Sequence, residues 1–175
     1  MQLMKKLFFL LLLGICTSSL FAKTITVLSC QKNAGTDTIL EVLTQIETGV
    51  MDILFDSGHI VTSEQPLLYE DVQKQYPKIL RYYKTEGSVQ YLVYLEFGFH
   101  LQDPTHPELA GYNDLTEMYF KVVRTSDNVI IAEKKENISG KIVNYDENVK
   151  ECRSLGKQTG IEINTIIRKQ EKGED

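Results

Sequence analysis

The side chains that could do chemistry are few and scattered. Histidine occurs at His59, His100 and His106, and no two stand four apart, the spacing that sets a metal-binding pair on one helix face. His100, Asp103, His106 and Glu108 do fall close together around a loop. Nitrogen and oxygen ligands of this kind suit a hard or borderline cation. A polar loop carrying Pro104, Pro107 and Gly111 is the simpler reading, and no metal ligand is assigned. Asn33, Ala34, Gly35 and Thr36 offer one glycine and no lysine, too little for a phosphate-cradling loop. No Gly-x-Ser-x-Gly elbow occurs. Cys30 has no CxxC partner, which leaves it a structural role. Asp52 and Asp56, four apart on one helix face, could act as an acid–base pair, but a solvated helix surface explains them more simply. Asn137, Ile138 and Ser139 match a glycosylation acceptor, read as a chance match. No catalytic residue and no cofactor is assigned, and an enzyme is not expected.

Charge narrows the partners. Lysine and arginine number 19 against 24 acidic residues, a formal charge of -5 over 175 residues. Nucleic-acid binding rests on basic side chains neutralising phosphates, so this balance speaks against it. Adsorption to an anionic membrane is disfavoured for the same reason. The amino terminus carries Lys5 and Lys6, then an apolar stretch over 7–15, then Cys16 to a small residue at Ala22. That three-part order is a secretory signal, so residues 1–22 are set apart from the fold. The stretch falls short of the roughly 20 apolar residues that cross a bilayer, and no transmembrane helix is expected after cleavage. The protein is expected in the periplasm or outside the cell. A lipoprotein anchored at Cys16 is the alternative, although Ile15 is larger than the residue such signals place before the cysteine. After cleavage Cys30 and Cys152 remain, and an oxidising compartment would let them pair. Two separate buried thiols are the other reading.

The remaining chain has to position these groups, and it reads as one α/β domain over 23–170 with a charged tail over 171–175. A β-rich run over 24–29 opens it. Thr38 and Glu41 have the spacing of a capping box, and Ile39, Leu43, Ile46, Val50 and Ile53 form one apolar helix face ending at Gly58. A second strand covers 59–63. The segment 67–86 is rich in helix formers but holds Pro77, so a break or kink is expected there. Strict alternation over 89–101 marks the clearest strand, and alternation returns over 115–124 and 129–138 around turn residues at 125–128. Val149, Cys152, Leu155, Thr159, Ile163 and Ile166 follow a helical period, with Gly156 and Gly160 suited to close packing on the first helix or the sheet. The expected fold class is therefore α/β (α+β): a mixed five-stranded sheet in the order strand, helix, strand, helix, three strands, helix, with helices mainly on one face. The first two strands should be parallel and the last three antiparallel.

This order, with the phrases at 24–28, 53–61, 87–95 and 119–132, resembles the domain shared by the amino-terminal part of TolB, the curli secretion component CsgG and the penicillin-binding-protein activator LpoB. The resemblance implies a periplasmic domain that works by protein–protein contact. If Tyr91, Val93, Leu95, Phe97 and Phe99 face the helices, the opposite face presents Leu92, Tyr94, Glu96 and Tyr119. Aromatics among mixed charges are typical of interface patches. Tyr94, Tyr119, Leu92 and Glu96 are thus the candidate contacts to an envelope protein whose identity the sequence does not give; an ordinary exposed sheet face is the other reading. A periplasmic small-ligand or metal-binding protein using the 103–114 loop is the alternative.

Overall fold

The computed structural model describes residues 22–32, 37–99, 115–138 and 145–173. The elements are β1 (Thr24–Gln31), α1 (Asp37–Asp56), β2 (Ile60–Ser63), β3 (Leu67–Leu68), α2 (Tyr69–Glu86), β4 (Tyr91–Phe99), β5 (Leu115–Arg124), β6 (Val129–Asn137) and α3 (Tyr145–Lys172). The sheet runs β2-β1-β4-β5-β6, with the two-residue β3 pairing with the far end of β1. β1 is parallel to β2, β3 and β4, while β4, β5 and β6 form an antiparallel meander. The expected mixed α/β architecture is present, extended by the short β3.

β1 lies between two parallel neighbours and is covered on both faces, which is why Ile25 to Gln31 are all buried despite the polar Thr26, Ser29 and Gln31. α1 and α3 lie on one face. Val42, Leu43, Ile46, Val50 and Leu54 of α1 and Cys152, Ile163 and Ile167 of α3 meet Val93, Leu95, Phe97, Met118 and Phe120 of the sheet. The two helices come close because Gly49, Gly156 and Gly160 lie at their contact. A Cβ on Gly156 would overlap the Ile46 carbonyl oxygen. Gly58, at φ 91°, closes the chain after α1, where only glycine is at ease. The Thr38–Glu41 capping box lies outside the described side chains. Among the described residues, no helix is long and apolar enough to cross a membrane.

Three expectations are corrected. First, the opposite sheet face is not uniformly wet. α2 lies on it, and Val72, Tyr76, Ile79, Leu80 and Tyr83 pack with Leu28, Cys30, Leu92, Tyr94 and Val123 in a second core. Second, α2 runs unbroken through Pro77. The lost hydrogen bond would have used the Gln73 carbonyl, and both residues are on the exposed side, where water replaces it. Third, no disulfide joins Cys30 to Cys152. Cys30 is in β1 and sits in the core under α2, whereas Cys152, on α3, sits in the core on the opposite side of the sheet. The sheet lies between them, and a disulfide needs Cα atoms within about 7 Å.

Candidate functional site

Strand alternation gathers a polar and aromatic cluster on the α2 side. Leu92, Tyr94 and Glu96 share that side of β4, and Glu117, Tyr119 and Lys121 share it on β5. The register sets Tyr94 opposite Lys121, Glu96 opposite Tyr119, and Gly98 opposite Glu117. On β6, Glu133 lies opposite Lys121 and Lys135 opposite Tyr119. The Glu117 side chain folds over Gly98, where a Cβ would overlap it.

Tyr94 is the centre. Its hydroxyl donates to Glu96 Oε2 at 2.9 Å. Its ring meets Tyr76 edge to face at 5.2 Å and Tyr119 at 6.4 Å. Lys121 Nζ sits 4.0 Å from the Tyr76 ring centroid and 4.8 Å from that of Tyr94, a cation held against two aromatic faces. Burial pulls the Lys121 ammonium below its ordinary pKa, and Glu96 and Glu133 oppose that shift. The Tyr119 hydroxyl donates to Glu133 at 2.7 Å, and burial with that carboxylate pushes Tyr119 up to about 12. At the end of β1, Lys32 Nζ is 2.8 Å from Glu117 and 3.8 Å from Glu96, while Lys135 Nζ is 2.6 Å from Glu117. Hydrogen bonds from Lys135 and Lys32 hold the Glu117 carboxyl below its ordinary value.

The expected contact residues divide. Tyr94 is 2% exposed and Leu92 is fully buried, because α2 covers the β1–β4 part of this face. They are interior residues, contrary to the expected outward face. Tyr119 and Glu96 are half-buried, and Tyr119 packs at the margin of the α2-covered core, next to the exposed Glu133 and Lys135 of β6. Tyr94, Tyr119 and Glu96 do come together; Leu92 joins the apolar core beside them. Sequence reasoning does not single out Lys32, Tyr69 or Tyr76. Strand register could have placed Lys32 at the end of β1, but the break expected at Pro77 hides Tyr76.

A second cluster surrounds His59, which is 4% exposed. Its Nδ1 accepts the Lys23 backbone N–H at 3.2 Å, and its Nε2 lies 2.9 Å from Asn164 Oδ1. Asn Oδ1 accepts only, so the network assigns the proton to Nε2. Lys23 Nζ pairs with Glu171 at 2.8 Å. A cleft of about 320 Å³ opens beside His59, lined by Ser57, Arg168, Glu171 and Lys172. His100, Asp103, His106, Glu108 and the whole 103–114 loop lie outside the described residues. Among the described residues, no group of three or more His, Cys, Asp or Glu is placed to hold a metal.

No family model matches the chain. No curated protein matches it either. Similar solved structures include the PelC dodecamer from Paraburkholderia phytofirmans, 9% identical over 78% of this chain and 84% of that one, with a TM-score of 0.45. TolB from Acinetobacter baumannii is 11% identical with a TM-score of 0.45; the alignment spans 83% of this chain but 28% of TolB. Lipoprotein GNA1162 from Neisseria meningitidis is 11% identical over 82% of this chain and 96% of that one, with a TM-score of 0.41. At these identities and scores, none of the three carries a function across.

Proposed function

We propose that this chain is exported to the bacterial cell envelope and works there, as one domain from residue 23, by docking a protein partner without catalysis. The observation that supports this most is the surface running from β3 to β5 and β6. Leu68 and Tyr69 are 51% and 46% exposed, and Lys32 Nζ lies 6.0 Å from the Tyr69 ring. The Lys32–Glu117–Lys135 ion pairs and Tyr119 continue from there. Exposed aromatic and aliphatic groups bordered by paired charges match the anatomy of a non-obligate interface. Among the described residues, several groups with chemical potential are engaged in other contacts. Both ring nitrogens of His59 are in contacts, and burial pushes the Cys30 thiol up to about 11, away from a reactive thiolate. Asp52 is tied to Arg153 at 2.7 Å.

Photo-crosslinking in living cells tests this. A crosslinking side chain replaces Tyr69, Tyr119 or, as a control on the exposed side of α2, Gln73. A discrete envelope-protein adduct at the first two positions and none at the third supports the reading. Equal labelling at all three, or protein retained in the cytoplasm, overturns it.

A further inference from the structure

Lys23 is where the described fold begins to bond. Its N–H donates to His59 Nδ1 at 3.2 Å, its carbonyl accepts the Ile60 N–H at 2.8 Å, and its Nζ lies 2.8 Å from Glu171. Ala22, immediately before it, is exposed. We infer that the Ala22–Lys23 peptide bond is a processing site and that the fold then holds the new α-ammonium group of Lys23 on His59 Nδ1. This rests on the export proposed above.

The chemistry balances with a signal endopeptidase and water. Hydrolysis breaks the Ala22–Lys23 bond, Ala22 leaves as a carboxylate, and the Lys23 nitrogen takes up protons and is largely ammonium at neutral pH. Ala22 supplies the small residue such an enzyme requires before the cut. Cutting occurs on the unfolded chain during export, so the bond need not be reachable in the finished domain.

The receiving site is already built. Asn164 takes the Nε2 proton of His59, and this fixes the Nδ1 lone pair as an acceptor aimed at the Lys23 nitrogen. An ammonium is a stronger donor to that lone pair than the amide it replaces. Glu171 Oε1 is buried 2.8 Å from Lys23 Nζ, which puts a carboxylate beside this residue. The exchange leaves the Lys23 carbonyl in place, and with it the tie between the start of β1 and β2.

The full chain is expressed and the protein recovered from the envelope. Its first residue is read by amino-terminal sequencing, and its α-amine is then acetylated under limiting reagent, folded and in urea. The expected result is a start at Lys23 and acetylation about tenfold slower when folded, the factor corresponding to 1.4 kcal/mol. His59→Gln should bring the folded rate close to the unfolded one. Asn164→Ala, which frees the imidazole without removing it, should move it part of the way and serves if the first variant does not fold. A start elsewhere in exported protein, or equal rates folded and in urea, overturns the inference and leaves export standing. An uncut, unexported chain overturns both.

Discussion

Tyr94 and Tyr119 touch edge to face, ring centroids 6.4 Å apart, yet they stand at different depths in the core that α2 covers. Tyr94 is 2% exposed beneath the helix; Tyr119 is half-buried at the margin of that core. Truncating them should therefore do different things. Tyr94→Ala removes a buried ring and should cost about 3–5 kcal/mol, measured by urea unfolding. Tyr119→Ala should cost about 1 kcal/mol or less while abolishing crosslinking to the partner. Comparable destabilisation by both would mean that α2 shields the whole face.

The glycine contact between α1 and α3 gives a prediction in which sign is the readout. In an exposed helix interior, Gly→Ala stabilises by about 1 kcal/mol. At Gly156 a Cβ would overlap the Ile46 carbonyl, which is backbone and cannot swing aside. Overpacking of this kind costs about 1–3 kcal/mol and should win. Gly156→Ala is thus expected to lower the urea midpoint, with Ser154→Ala, on the exposed side of α3, as the near-neutral control. A stabilised Gly156→Ala protein would place the helices farther apart than described.

The cysteines should behave as two unbridged, buried thiols. Thiol counting on denatured, non-reduced protein should find Cys30 and Cys152 both reactive, because the sheet separates them. In the native state Cys30 should be alkylated far more slowly than in urea at pH 8, since burial pushes its thiol up to about 11 and the thiolate is the nucleophile. A count of zero would require the two core faces to be wrongly assigned.

Much of this architecture was legible in period and punctuation. Alternation in β4 and β5 named the residues of each face correctly, because a strand's two-residue period does not depend on what covers it. The steps through Leu43, Ile46 and Val50 likewise named the buried stripe of α1. What covers a face is a tertiary fact. Pro77 reads as a break in the helix that buries Tyr94, yet its missing hydrogen bond falls on the solvent side and is tolerated. The Cys30–Cys152 pairing failed for a related reason: strand parity put Cys30 with Leu28, away from α3. The His59–Lys23 and Lys32–Glu117 contacts join residues 36 and 85 positions apart, and no local pattern encodes such pairs.

The ion pairs at Glu117 predict a pH dependence with a definite sign. Lys135 and Lys32 hold its carboxyl below the ordinary value of 4.5 in the folded protein. A depressed acid contributes stability above its unfolded pKa and loses it as pH falls through the folded one. The loss should therefore set in below about pH 4.5 and deepen toward acid. Glu47 works in the opposite sense: burial raises its carboxyl, against hydrogen bonds from Ser29 and Ser63, so its ionisation weighs against the fold as pH rises through the raised value. Urea midpoints from pH 3 to 7 separate the two. Glu117→Gln should lower the midpoint at pH 7 and flatten the acid limb, because the group that titrates there is gone. Glu47→Gln should leave the acid limb and raise the midpoint at neutral pH relative to acid. Parallel curves for the wild type and Glu117→Gln would show that Lys32 and Lys135 are held in solution by water and not by Glu117.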